Sequence, residues 1–149
     1  MTENNVPLYL FHQGNNAKAY EYLGCHFEDD KCAFRVWAPK AQEVYLTGDF
    51  NSWSDTSLPM QRISQNGVWE VIIDKPQIFD NYKYRIVTSD DRVIFKSDPY
   101  GFHFETRPQT ATKVYDIEGY RWHDEKWLKK RKETSVYTSA VNIYEVNYF

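Results

Sequence analysis

Residues Phe34 to Trp53 read FRVWAPKAQEVYLTGDFNSW. Phe34 and Val36 alternate with Arg35 and Trp37, and Val44 and Leu46 alternate with Tyr45 and Thr47. A period of two is the signature of a strand with one buried face. Pro39 cannot donate to a ladder and so ends the first strand. Gly48 with Asp49, Asn51 and Ser52 breaks the second and sets Trp53 at the tip of a polar turn.

The predicted strands run on from this pair: Cys32 to Trp37, Val44 to Thr47, Met60 to Ile63, Val68 to Ile73, Tyr82 to Thr88, Val93 to Lys96 and Thr112 to Asp116. Asn66-Gly67 joins two of them as a hairpin, because both residues tolerate φ > 0. About seven short strands, with turns about every 8 to 12 residues, predict an all-β fold: an immunoglobulin-like antiparallel β-sandwich. Ahead of it, Leu8 to His12 closed by Gly14, and Ala17 to Leu23 closed by Gly24, read as a short N-terminal helical arm. Behind it, Asp124-Glu125 leads into Lys129, Lys130, Arg131 and Lys132, an acid-to-base order that suits a helical linker. That basic run reads either as a nuclear or nucleic-acid signal or as a solvated helix end docked by Trp127 and Leu128. The organisation is then arm 1–24, sandwich 25–118, linker 119–141 and a β-prone tail 142–149. A strand at Asn142 to Val146 with nothing after it to pair with looks like the start of a further domain.

The length of 149 residues allows one domain with a buried core. Aromatics are 17% of the chain, which favours strands and carbohydrate or protein surfaces over helical bundles. A net charge of −3 argues against a nucleic-acid partner. No apolar run approaches about 18 residues and no basic-then-apolar start is present, so no membrane is expected and a cytoplasmic location is. Cys25 and Cys32 flank a turn at Glu28-Asp29-Asp30. Some hairpin registers would bring them face to face; without a secretion signal, reduced thiols are expected.

Catalytic chemistry is not expected from these residues. His12, His26, His103 and His123 have no metal-ligand spacing, and no phosphate-cradling loop or nucleophile elbow is present, so no metal and no cofactor is predicted. Asp98 and Glu105 form a glycosidase pair only if the fold sets them a few ångströms apart, which spacing does not say. Binding is easier to argue. Trp53 at a turn tip can stack on a sugar ring while Asn51 and Lys83 bond its hydroxyls. The other reading makes Trp53 a plug at the end of the sandwich and Lys83 a solvated residue. Trp37 and Trp69 are expected in the core.

The stretch from Phe34 to Trp53, the Pro59-Met60 pair, NGVWEV at Asn66 to Val71 and YKYRI at Tyr82 to Ile86 resemble a family 48 carbohydrate-binding module. KSDPYGFHFETRPQTATKVYD at Lys96 to Asp116, GYRWHDEKW at Gly119 to Trp127, NIYEV at Asn142 to Val146, and the upstream LYLFHQG and AYEYLG are similar to bacterial-type 1,4-α-glucan (glycogen) branching enzymes. The resemblance implies a non-catalytic N-terminal module of a retaining glycosyltransferase that moves α-1,4-glucan pieces onto α-1,6 branch points. Its chemistry would lie in a (β/α)8 barrel of about 250 residues, of which Asn142 to Val146 would be the start, so this chain alone would not be an enzyme. The implied partners are α-1,4-glucans (glycogen, starch, maltooligosaccharides) and that barrel. In the family's binding site a sugar lies between two Trp, with a Lys and an Asn. Trp53 and Lys83 match the first Trp and the Lys, and no Trp stands near Arg92-Val93, where the second is expected, so the implied binding is weak. Asp98, Pro99, Tyr100 and Phe102 are implied at the barrel interface, with Tyr100 and Phe102 leaving an apolar patch in this chain; a Pro-fixed turn over the sandwich's own core is the other reading. The alternative function is a free-standing glycogen- or starch-binding module that recruits a partner protein.

Overall fold

The computed structural model describes residues 6–135, 137–138, 140 and 142–147, which fall into two compact units, Met1–Ile117 and Glu118–Phe149. The first is an antiparallel immunoglobulin-like sandwich. One sheet has the order β1 (Gly24–Glu28), β2 (Lys31–Trp37), β5 (Val68–Asp74), β4 (Gln61–Arg62). The other has the order β3 (Ala41–Gly48), β6 (Asn81–Thr88), β9 (Thr112–Lys113), β8 (His103–Phe104), with β7 (Val93–Lys96) also paired to β6.

Alternation decides which side chains lie between the sheets. Phe34 and Val36 point inward from β2, Val44 and Leu46 from β3, and Tyr82 and Tyr84 from β6, all buried. The Phe34 ring meets Tyr82 edge-on at 5.0 Å. Each such burial stabilises by about 2 kcal/mol. Trp69 joins this core, its indole donating to the Ala38 carbonyl at 3.0 Å. Trp37 does not, contrary to expectation: it has the parity of Arg35, so it points outward and is half exposed, with Phe11 edge-on at 5.8 Å.

The arm covers the outer face of the first sheet. Helix α1 (Val6–His12) supplies Leu8 and Phe11 to a second apolar cluster with Tyr22, Leu23, Val68 and Tyr100. Arg35, outward on β2, bonds Glu70 and Glu28 and lies 4.7 Å from the Tyr22 ring. The expected helix at Ala17 to Leu23 is only a 3-10 turn at Ala19–Glu21. On the outer face of the second sheet Glu43, Val93 and Phe95 are exposed, while Thr47 is buried.

The Asn66-Gly67 hairpin forms as expected, with Gln61 opposite Glu70 and Arg62 opposite Trp69. Gly67 has φ +88°, and a Cβ there would fall 2.2 Å from Pro39 Cα, so only glycine fits. Strands β1 and β8 were not expected from the sequence, and β9 is shorter than Thr112 to Asp116. In the second unit, α2 (Glu125–Glu133) carries Lys130, Arg131 and Lys132 in its last turn, the charge order its dipole favours. Trp127 and Leu128 remain exposed rather than docking that helix. Residues 142–147 have no regular structure, because a β-prone segment becomes a strand only against a partner and none pairs with it among the described residues.

Candidate functional site

The second sheet's outer face is built from the odd-numbered residues of β3, β6 and β7. Its register sets Thr47 opposite Lys83, and Tyr45 opposite Arg85, which is opposite Phe95. Beyond Gly48 the chain turns back on itself through a short 3-10 turn, Asp49–Asn51. Trp53 then projects with its backbone N–H bonded to the Gly48 carbonyl at 2.9 Å.

Trp53 is held, not loose. Its indole N–H donates to Asp49 Oδ1 at 2.8 Å. The other Asp49 oxygen accepts the Asn81 backbone N–H at 2.7 Å and the Asn81 amide at 2.9 Å. Burial would raise the Asp49 carboxyl, but the Asn81 N–H, the Trp53 indole and the Asn81 amide outweigh it, helped by the charge of Lys113, and hold it below the usual carboxylate value. The ring is 41% exposed, so Trp53 is not a plug in the sandwich end. A fixed, open indole presents an apolar face without a large ordering cost on binding.

Asn51 has a different place from the one its type suggested. Its Nδ2 is bonded to Ser57 Oγ and to the Leu46 and Ser54 carbonyls, and its Oδ1 accepts the Gly48 N–H at 2.9 Å. It therefore fastens the turn that carries Trp53. Lys83 lies on the same face, its ammonium 2.8 Å from Thr110 Oγ1. Sequence reasoning missed three residues: Asp49 and Asn81, which orient the indole, and Phe95, an exposed ring beside Arg85. Phe95 was detectable from parity in VIFK, since Ile94 opposite Ile86 points inward and its neighbour must point out. On this face Thr47 Oγ1, Asn81 Oδ1 and Arg85 Nε are buried without a hydrogen-bond partner, and Arg85 lies 5.1 Å from the Tyr45 ring.

Residues 22–101 match the model of Carbohydrate-binding module 48 (Isoamylase N-terminal domain). The chain belongs to that family. Its relatives include the 1,4-alpha-glucan branching enzyme GlgB of Bacillus subtilis (strain 168), 43% identical over 94% of this chain. The enzyme of the same name from Halothermothrix orenii is 46% identical over 93%. The module spans 23% of the length of each. Among solved structures it is similar to pullulanase from Bacillus acidopullulyticus, with 29% identity and a TM-score of 0.53 over 63% of this chain and 12% of that one.

The four residues expected at an interface separate in the module. Asp98 is buried, 1% exposed, and cannot touch a second body. Its Oδ2 accepts the hydroxyls of Tyr82 at 2.8 Å and Tyr84 at 2.9 Å, and its Oδ1 accepts the Tyr100 N–H at 2.8 Å. Burial pushes its carboxyl up despite those donors. Tyr100 and Phe102 are half-buried, Tyr100 in the arm cluster and Phe102 edge-on to His26 at 6.3 Å. Of the four only Pro99 is exposed. Cys25 and Cys32 are buried free thiols 3.0 Å apart. Among the described residues no cluster of His, Cys, Asp or Glu could hold a metal ion, and no helix is long and apolar enough to cross a membrane.

Proposed function

We propose that the module serves a cytoplasmic 1,4-α-glucan branching enzyme as a non-catalytic contact for α-1,4-glucan chains such as glycogen, starch and maltooligosaccharides. The observation that carries this is the pinned, exposed Trp53, within a chain 43% identical to a protein named as such an enzyme. The apolar face of a glucosyl ring stacks on the indole. Lys83 offers donors to sugar oxygens, and Asn51 and Asp49 keep the turn and the ring in place. The branching chemistry belongs to a catalytic barrel that Pro99 and the accessible edges of Tyr100 and Phe102 would meet. No residue of this chain takes part in bond cleavage.

A single stacked ring gives weak affinity, millimolar, or about 4 kcal/mol. Weak binding suits the role. A tethered module needs only to raise the local concentration of glucan near the barrel, and it must release the chain between transfers. Titration with maltoheptaose, followed by tryptophan fluorescence, should give a saturable change in the wild type that Trp53→Ala abolishes. Identical traces for the two proteins would remove this site.

A further inference from the structure

Five non-glycine residues have positive φ among those described: Asp29, Ser52, Trp53, Phe79 and Asp91. Asp and Ser sit at such positions in ordinary turns, whereas a bulky ring there is an outlier. The two aromatic cases are Trp53 (φ 59°) and Phe79 (φ 74°), and both rings are exposed, 41% and 52%. Phe79 is the third residue of a turn in which the Asp80 N–H donates to the Gln77 carbonyl at 3.1 Å, a place usually held by Gly or Asn when φ is positive. The turn is fastened on both sides, with Gln77 N–H on Asp80 Oδ2 at 2.9 Å and Phe79 N–H on the Val114 carbonyl at 2.8 Å. Glycine would suit this backbone better, so Phe79 sits there at a cost in strain.

The ring has a built setting. Phe79 meets His103 at 5.6 Å and Tyr115 at 5.7 Å, and those two are 5.2 Å apart. Hydrogen bonds and strand pairings link this cluster to the turn of Trp53. Asp49, which holds the Trp53 indole, also holds Asn81; Asn81 is opposite Lys113, and Lys113 is opposite His103. At about 5 Å per strand, that row sets His103 about 10 Å from Asn81.

We propose that Phe79, backed by His103 and Tyr115 and flanked by Asn81 and Lys113, is a second stacking site for the same α-glucan chain that lies on Trp53. The module then holds a run of glucosyl units. This rests on the Trp53 reading. Rings beside an ammonium match a polymer with apolar faces and hydroxyl edges; the centre of a protein interface is depleted in such charge.

Phe79→Gly removes the ring and relieves its backbone, and Phe79→Asn is a second variant that also tolerates positive φ. Chemical-shift titration of the chain with maltotriose and maltoheptaose, beside Trp53→Ala, reads the outcome. Both Phe79 variants should weaken maltoheptaose binding about fivefold to tenfold, leave maltotriose nearly unchanged, and keep or raise the unfolding midpoint. Unchanged maltoheptaose affinity, with Trp53→Ala still impaired, overturns the second site alone. Absence of binding by the wild type overturns both sites. A lowered midpoint with both sugars weakened equally makes Phe79 a structural prop and overturns the proposal. So does reduced self-association with sugar affinity intact, which would assign the ring to a protein partner.

Discussion

Asp98 and Asp49 are the same residue used in opposite ways. Each accepts three hydrogen bonds from aromatic side chains, an amide or backbone N–H groups. Asp98 is sealed between the sheets and its carboxyl is pushed up by burial; Asp49 is at the surface, and its donors outweigh desolvation and bring it down. The hydroxyls that Asp98 takes, from Tyr82 and Tyr84, would otherwise be buried without partners, so its role is to make a tyrosine-rich core admissible. The indole that Asp49 takes could face water at little cost. What Asp49 contributes is direction, holding an open ring still. A buried acceptor thus stabilises the module, while an exposed one fixes the direction of an open ring.

The largest effect expected from this contrast is at Asp98. Asp98→Ala leaves two tyrosine hydroxyls and the Tyr100 N–H without their acceptor, at a cost of about 3–5 kcal/mol. Urea unfolding should show a much lower midpoint. The comparison breaks if Asp98→Ala costs no more than Asp49→Ala. A smaller effect is expected for Tyr84→Phe, which deletes one donor and leaves Tyr82 and Tyr100 in place. About 1 kcal/mol is expected, since one buried hydrogen bond is lost while Asp98 keeps two others. A cost near zero would mean that Tyr82 and the Tyr100 N–H satisfy Asp98 without Tyr84.

The sandwich was readable because its strands keep strict alternation: Phe34 and Val36 in β2, Tyr82 and Tyr84 in β6, and the Asn66-Gly67 turn all point to one fold. β1 was missed because His26 and Phe27 are both only half-buried, so Gly24–Glu28 carries little alternation. Trp53 and Lys83 were visible as residue types in a turn and on a strand. The role of Asp98 was not, because its partners are 14 and 16 residues away in sequence and arrive only through strand pairing. Phe79 left no signal at all: Gln77-Ile78-Phe79-Asp80 has neither Gly nor Asn where the turn wants one, so the sequence gives no hint of its positive φ. Asn51 misled for the opposite reason, since an Asn beside an exposed Trp is as well suited to fasten a turn as to bond a sugar.

The smallest effect is the most discriminating, because the two carboxyls titrate with opposite sign. A folded value held down, as at Asp49, means the native state binds fewer protons than the unfolded chain. Its stabilisation is therefore complete above the ordinary carboxylate value and is lost as pH falls through the folded one. A folded value pushed up, as at Asp98, stabilises most in acid and loses that contribution as pH rises through the folded value. Asp49→Asn removes only the first contribution. The gap in unfolding free energy between wild type and Asp49→Asn should be under about 1 kcal/mol, because the carboxylate is largely open to solvent. It should be widest near neutral pH and close as the solution is acidified below the ordinary carboxylate value. A gap of constant size across that range would mean that Asp49 acts on Trp53 through shape alone. A gap that widens in acid would reverse the sign and remove the distinction between the two aspartates.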